Sequence, residues 1–155
     1  YEVTGQNYAN TYYIFAFDNV VAYVDNYQYY HGGTACGLVD DFAAGATSGG
    51  LDIRPFPDNW NMKKYIGERD ENLEVWNNHT VINLLDNLKN GSLAIIIDCG
   101  VDDFFYGINK AVHERLLLHK IAHDFIIRPG AHNGDYWKNS IGYQIKFFKN
   151  FFEKE

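Results

Sequence analysis

The stretch SLAIIIDCG at residues 92–100 limits the folds open to this chain more than any other feature. It is a short, continuous apolar run with β-branched residues, preceded by the turn signal Asn90-Gly91 and ended by Gly100. An unbroken run of this length predicts a strand buried on both faces, because a strand with one solvated face alternates apolar and polar residues. Such a strand is typical of a parallel sheet covered by helices.

Helical and strand patterns alternate after this run. Apolar residues spaced three and four apart in DDFFYGINKAVHERLLLHK (102–120) predict an amphipathic helix. HDFIIRPG (123–130) predicts a second strand stopped by Pro-Gly, and YWKNSIGYQIKFFKNFF (136–152) predicts a terminal helix with an aromatic face. The order strand, helix, strand, helix indicates an α/β fold with a mainly parallel sheet flanked by helices.

The first 91 residues give fewer clear patterns. DFAAGATSGG (41–50) indicates another strand that enters a Gly-rich turn, and the two prolines of RPFPDNW (54–60) indicate a loop. Residues 61–91 predict one or two helices that end at Asn90-Gly91, and the Tyr/Asn-rich first 33 residues predict a helix over 17–28 and little else. The length of 155 residues suits a single domain, residues 1–155.

Composition and charge argue against several classes of protein. Apolar residues make up 46% of the chain, which indicates a globular protein. A formal net charge of −7 without any Lys/Arg cluster argues against a nucleic-acid partner, and no apolar stretch is long enough to predict a membrane span. The start, YEVTGQNYAN, lacks the regions of a signal peptide, which favours a soluble, cytoplasmic protein. A first residue of Tyr, with Met62 as the only methionine, predicts a trimmed, processed or incomplete product.

Neither the cysteines nor the histidines predict a metal site. Cys36 and Cys99 form no close metal pair and no redox motif, and Cys99 is predicted to be a small buried hydrophobe because it follows the Ile run. His113 and His119 lie about 240° apart around a helix, so they do not share a face. A zinc site needs three or four convergent ligands.

Two polar loops follow the two predicted strands of the second half. In an α/β sheet, ligands bind beyond the carboxyl ends of the strands. Asp102 and Asp103 follow the first strand, and His132 follows the second. If the strands are neighbours, a carboxylate and an imidazole meet there, as in the acid and base half of a hydrolytic triad. The alternatives are that His132 is an ordinary surface histidine and that Asp103 is a helix N-cap. A cap at Asp102 would instead leave Asp103 free to contact His132.

Four segments resemble the C-terminal part of the esterase D-like family of α/β-hydrolases, the group that contains S-formylglutathione hydrolase and bacterial tributyrin or acetyl esterases. The segments are SGGLDIRPFPDNW, AIIIDCGVDDFF, NKAVHERLL and HDFIIRPGAHNGDYWKNSIGYQIKFF, in that order. The resemblance covers residues 36–152 and implies an α/β-hydrolase-like fold in a truncated or minimal version, with an atypical segment at residues 1–33. It implies that Asp103 is the triad acid, that His132 is the base, and that Asp98 is structural.

The serine nucleophile that the resemblance implies has no obvious position. The family's G-x-S-x-G-G elbow falls at residues 28–33, with Tyr30 in place of serine, or at residues 37–41, with Val39 in that place. Ser48, in the turn ATSGG (46–50), is either a turn residue or a substitute nucleophile. The predicted catalytic residues are therefore His132, Asp103 and Ser48, and Trp137 is a candidate lining residue for an acyl or alcohol pocket.

The resemblance implies a carboxylic-ester hydrolase that acts on a small-molecule ester and uses no metal or organic cofactor. In that mechanism a serine attacks the ester carbonyl, His132 takes its proton and later protonates the leaving alcohol, and Asp103 holds the imidazole tautomer. The alternative is a catalytically inactive, hydrolase-derived binding or assembly module. In that case a missing N-terminal half leaves an open sheet edge, which another chain or a homo-oligomer covers.

Overall fold

A single sheet with helices on its faces forms the frame of the molecule. The computed structural model describes the strand backbones at residues 13–17 and 20–24 and the chain from residue 42 to residue 153. The strands are β1 Tyr13–Phe17, β2 Val20–Val24, β3 Phe42–Thr47, β4 Ala94–Gly100 and β5 Asp124–Arg128. The α-helices are α1 Met62–Ile66, α2 Leu73–Asn78, α3 Val81–Leu84, α4 Tyr106–Leu118 and α5 Gly134–Phe152, and a 3₁₀ turn covers Leu85–Asn87.

The sheet is mixed, because its first strands pair antiparallel and its last strands pair parallel. Its strand order is β1-β2-β3-β4-β5, with antiparallel pairing from β1 to β3 and parallel pairing from β3 to β5. Strands β3, β4 and β5 therefore finish at one end of the sheet, which we call the carboxyl end of the sheet. This is the end at which an α/β sheet binds its ligands.

The structure confirms the α/β fold and the elements predicted in the second half of the chain. The loop predicted at residues 54–60 holds neither helix nor strand, and residues 61–91 hold several short helices instead of one or two. The helix predicted over 17–28 is wrong, because Val20–Val24 forms strand β2. Its sequence VVAYV is rich in β-branched and aromatic residues, which favour strands. Within the described residues, every helix is too short or too polar to cross a bilayer.

Successive residues of β4 point to opposite faces of the sheet, and both faces are covered. Ile95 and Ile97 belong to a buried apolar cluster with Val112 and Leu116 of α4. On the other face, α5 packs so tightly that a Cβ built on Gly45 would lie 2.0 Å from an oxygen of its Gln144 side chain. The continuous Ile run is therefore buried on both sides, as its composition predicts.

Asp98 interrupts this apolar run with a charge at the centre of β4. Its side chain is fully buried, and it accepts hydrogen bonds from Arg128 Nη2 at 2.7 Å and from the Tyr136 hydroxyl. The same Arg128 nitrogen contacts Ser140 Oγ at 2.6 Å. Burial and the hydrogen bond to Asp98 raise the pKa of Tyr136, so its hydroxyl stays protonated and remains a donor. This network joins β4, β5 and α5, which agrees with a structural role for Asp98.

Replacing Asp98 is expected to destabilise the protein. Asp98→Ala leaves the Arg128 guanidinium without its buried partner, and we expect a loss of about 3 kcal/mol in the free energy of unfolding. Urea denaturation followed by circular dichroism measures this loss. The control is Asp102→Ala, because Asp102 is exposed. Equal stability of the two variants would contradict a structural role for Asp98.

Candidate active site

The loops that follow β4 and β5 are held against each other by backbone contacts. Gly100 pairs with Arg128 in the strand register, and beyond it Val101 N donates to Arg128 O at 3.0 Å. Asp102 N then donates to Gly130 O at 2.9 Å. A Cβ built on Gly100 would lie only 2.1 Å from Gly130 O, so this approach requires glycine. The two loops that carry the predicted acid and base are therefore fixed side by side.

Asp103 and His132 meet at this point. His132 Nδ1 lies 3.0 Å from one carboxylate oxygen of Asp103 and 3.2 Å from the other. The Asp103 side chain is fully buried and that of His132 is 21% exposed. Because a carboxylate only accepts hydrogen bonds, Nδ1 donates in this contact, and in the neutral imidazole the lone pair then lies on Nε2. An imidazole in this tautomer can take a proton from a group placed at Nε2.

Asp103 also forms a hydrogen-bonded turn just before helix α4. Its Oδ1 accepts a hydrogen bond from Phe105 N at 2.8 Å, and its backbone O accepts one from Tyr106 N at 2.9 Å. The helix itself begins at Tyr106, and its N-cap, Phe105, has no side-chain cap hydrogen bond, so the N-cap predicted at Asp103 or Asp102 is wrong. One carboxylate therefore contacts both the helix start and His132, which fixes its orientation.

Three aromatic rings surround the His132 imidazole. Phe104 lies 4.5 Å away, Trp137 lies 5.0 Å away, and Phe105 lies 5.4 Å away, measured between ring centroids. Trp137 thus stands next to His132, and its role as a lining residue of an acyl or alcohol pocket stays a prediction. These rings restrict the imidazole to one orientation and exclude water from most of its surface.

Ser48 lies at the carboxyl end of the sheet but does not join the pair. It follows β3, is fully buried, and has a φ of +52°, in the left-handed region that side-chain-bearing residues rarely adopt. Its backbone N donates to Asp98 O at 2.8 Å, which extends the β3–β4 ladder by one residue. Its Oγ has no hydrogen-bond partner among the described residues, so it does not contact His132 Nε2.

Asn109 anchors the turn that contains Ser48, a role that sequence reasoning missed. From inside α4, its Nδ2 donates to Gly49 O at 2.8 Å and to Phe105 O at 2.9 Å. The side chain is fully buried. The signal in the sequence was a single Asn in a helix, which is more often exposed. The Ser48 turn is therefore held by α4, which supports the interpretation of Ser48 as a turn residue.

A glycine at position 48 is expected to be tolerated or stabilising. Ser48→Gly removes both the strained backbone conformation and a buried hydroxyl without a partner, so the free energy of unfolding should rise by up to about 1 kcal/mol. Urea denaturation of Ser48→Gly and Ser48→Ala measures the effect, because the alanine variant loses the hydroxyl but keeps the strain. A glycine variant less stable than the alanine variant would contradict this account.

The two elbow positions considered in the sequence, Tyr30 and Val39, lie outside the described residues. Val24 at the end of β2 pairs with Phe42 at the start of β3, whereas Val20 pairs with Ala46. Val24 and Phe42 therefore lie at the opposite end of the sheet from His132.

Cys99 is unsuited to act as a nucleophile. It is fully buried in β4, and burial, with the nearby charges of Asp103 and Asp98, raises the pKa of its thiol to about 12. A thiol with this pKa holds a negligible fraction of thiolate at neutral pH. The structure confirms the prediction that Cys99 is a buried small side chain.

We expect Cys99 to resist alkylation in the folded protein. Iodoacetamide at pH 8 should leave it unmodified, and the same treatment in guanidinium chloride should modify it fully, since unfolding exposes the thiol and restores its ordinary pKa. Peptide mapping by mass spectrometry separates Cys99 from Cys36. Modification of native Cys99 at the rate of a free thiol would show that β4 is open to solvent.

The remaining histidines of α4 and its neighbours do not gather into a metal centre. His113 Nδ1 contacts His123 Nε2 at 2.7 Å, whereas His119 faces Asp86 at 3.3 Å. Over the described residues, no group of three or more His, Cys, Asp or Glu side chains is placed to hold a metal ion. The separation of His113 from His119 agrees with their predicted positions around the helix.

Comparison with solved structures shows an α/β-hydrolase fold. A ferulic acid esterase is 22% identical over 68% of this chain and 40% of its own (TM-score 0.51). The S-formylglutathione hydrolase of Staphylococcus aureus is 23% identical over 68% of this chain and 43% of its own (TM-score 0.56). Dipeptidyl peptidase 4 of Porphyromonas gingivalis is 18% identical over 70% of this chain and 16% of its own (TM-score 0.57).

The chain spans less than half the length of these solved structures. No protein-family profile matches the sequence, and no curated protein matches it. At these identities the likeness establishes the fold, and the chemistry has to be argued from the residues of this chain.

Proposed function

We propose that this chain carries the acid and base of a carboxylic-ester hydrolase site that acts on small-molecule esters. The observation that carries the proposal is the contact of His132 Nδ1 with the buried Asp103 carboxylate at 3.0 Å, at the carboxyl end of a parallel sheet. The esterases among the similar solved structures support the same reaction class, because they share this fold.

His132 is the general base and then the general acid of the proposed reaction. Its Nε2 takes the proton of an attacking hydroxyl while the hydroxyl oxygen forms a bond to the ester carbonyl carbon. The same proton then passes to the leaving alkoxide oxygen, which departs as the alcohol. A water molecule repeats both steps to release the acid and restore the hydroxyl.

Asp103 acts through His132 and not on the substrate. Its carboxylate keeps the imidazole proton on Nδ1 and stabilises the imidazolium that forms when Nε2 takes the second proton. Because the carboxylate is buried, its attraction for the imidazolium is screened less than it would be in water. The second hydrogen bond, from Phe105 N, prevents the carboxylate from turning away.

The attacking hydroxyl must lie within about 3.5 Å of Nε2. Ser48, the candidate from the sequence, meets this condition only if its Oγ leaves its buried position, since it has no hydrogen-bond partner among the described residues. We therefore rest the proposal on His132 and Asp103 and treat Ser48 as the nucleophile to be tested.

Variants of the acid and base should lose esterase activity while they stay folded. We expect His132→Ala and Asp103→Asn each to lower kcat/KM for p-nitrophenyl butyrate by roughly a thousandfold, because the first removes the base and the second stabilises the wrong tautomer. Hydrolysis followed by p-nitrophenolate absorbance measures this loss, and circular dichroism checks the fold.

The matched control is Asp102→Asn, which changes the neighbouring, exposed carboxylate and should keep full activity. Ser48→Ala distinguishes the two interpretations of Ser48: activity survives if it is a turn residue and disappears if it is the nucleophile. A wild-type protein without measurable turnover, or turnover unchanged in His132→Ala, would overturn the proposal.

A further inference from the structure

A group of aromatic side chains, two of them exposed and one partly buried, lies beside His132. Phe56 and Trp60 come from the loop before α1, and Phe104 comes from the loop after β4; we call these three residues the aromatic ledge. Trp60 is 53% exposed and Phe104 is 52% exposed. Large aromatic side chains usually bury most of their surface, so two half-exposed rings that both contact Phe56 indicate a binding surface.

The ledge is a connected surface with a buried base. The Phe56 ring lies 5.7 Å from the Trp60 ring and 6.0 Å from the Phe104 ring. Beneath them, the buried Phe105 ring contacts Phe56 at 5.3 Å, Trp60 at 5.7 Å and Phe104 at 4.4 Å. These centroid distances fall in the range of favourable aromatic pairs, so the three rings hold one another in place.

Paired charged side chains flank Phe56 and Trp60 in the sequence of this loop. Arg54 Nη2 contacts Asp52 at 2.8 Å, and Arg54 Nη1 donates to Asn77 Oδ1 at 3.0 Å. On the other side, Lys63 contacts Asp58 at 2.7 Å. These charged side chains are paired with one another and are not part of the ledge. The groups that the ledge offers to a ligand are therefore apolar ring faces and the indole N–H of Trp60.

The ledge is continuous with the proposed reaction site. The Phe104 ring lies 4.5 Å from the His132 imidazole, with an angle of 43° between the two planes. A substrate held at His132 therefore lies close to the Phe104 ring. The next ring outward from His132 along the ledge is Phe56, and the last is Trp60.

We propose that the aromatic ledge binds a flat, uncharged aromatic group of the ester substrate. This inference rests on the proposed esterase function and adds the substrate class to it. Aromatic rings prefer offset or edge-to-face contacts with other rings, and Phe56, Phe104 and Trp60 present faces at several inclinations. The neighbouring rings touch each other, with centroids 5.7 and 6.0 Å apart, so a group of one or two fused rings can lie across their outer surface and not between them. A protein partner would need a far larger contact area than three side chains supply.

Binding of inert amide analogues tests the ledge without requiring turnover. The probes are N-(1-naphthyl)acetamide and N-methyl-1-naphthamide, which place the aromatic group on the alcohol side and on the acyl side of the carbonyl. N-butylacetamide is the alkyl reference. Saturation-transfer NMR and isothermal titration calorimetry measure binding to the wild type, Trp60→Ala, Trp60→Phe and Leu118→Ala. Leu118 is the matched apolar control, because it is 78% exposed and lies at the end of α4 that is farther from Phe104.

We expect the wild type to bind one of the two naphthyl amides about tenfold more tightly than N-butylacetamide. Trp60→Ala should lose that preference, Trp60→Phe should keep most of it, and Leu118→Ala should keep all of it. The naphthyl amide that binds identifies the side of the ester that carries the ring. For turnover, Trp60→Ala should lower kcat/KM for the matching naphthyl ester, 1-naphthyl acetate or methyl 1-naphthoate, but not for butyl acetate, because comparing each ester between wild type and variant removes its intrinsic reactivity.

The outcomes separate the two proposals. Naphthyl binding that depends on Trp60, in a protein that hydrolyses no ester, supports the ledge and overturns the esterase function. Ester turnover that depends on His132 but shows no aromatic preference, or a preference unchanged in Trp60→Ala, overturns the ledge. A change of sedimentation coefficient in Trp60→Ala would show that the ledge is a contact between copies of the chain, which also overturns the inference.

Discussion

Two glycines at the carboxyl end of the sheet approach so closely that neither loop can move without the other. A Cβ on Gly100 would overlap Gly130 O, and the backbone bond from Asp102 N to Gly130 O depends on that approach. The acid follows the first glycine by three residues and the base follows the second by two. The backbone contact between the two loops therefore sets the positions from which the Asp103 and His132 side chains meet.

The regular part of the fold could be predicted because local pattern and tertiary environment agree there. The Ile run of β4 is continuous because both faces of the sheet are covered, and the α4 pattern is amphipathic because one of its faces packs on the sheet. The prediction of a helix over 17–28 was wrong because the apolar residues there fit both the helical and the strand period. Pairing of β2 with β1 and β3 makes this segment a strand. The antiparallel direction of β2 depends on that pairing, which one sequence does not reveal.

Some residues of the candidate site could likewise be predicted from the sequence, and others could not. Asp103 and His132 could be predicted because they directly follow strands, and neighbouring parallel strands bring such residues together. The aromatic ledge could not, because Phe56 and Trp60 lie in a proline loop whose position depends on contacts with Phe105, which lies far away in sequence. Asn109 was missed for a related reason: its partners, Gly49 O and Phe105 O, are backbone atoms, which leave no mark on composition.

The double contact of Asp103 links the chemistry of the site to the start of a helix. One of its carboxylate oxygens accepts from Phe105 N while the carboxylate also faces His132 Nδ1. The orientation of the imidazole and the start of α4 are therefore coupled through one carboxylate, so a displacement at either contact is transmitted to the other.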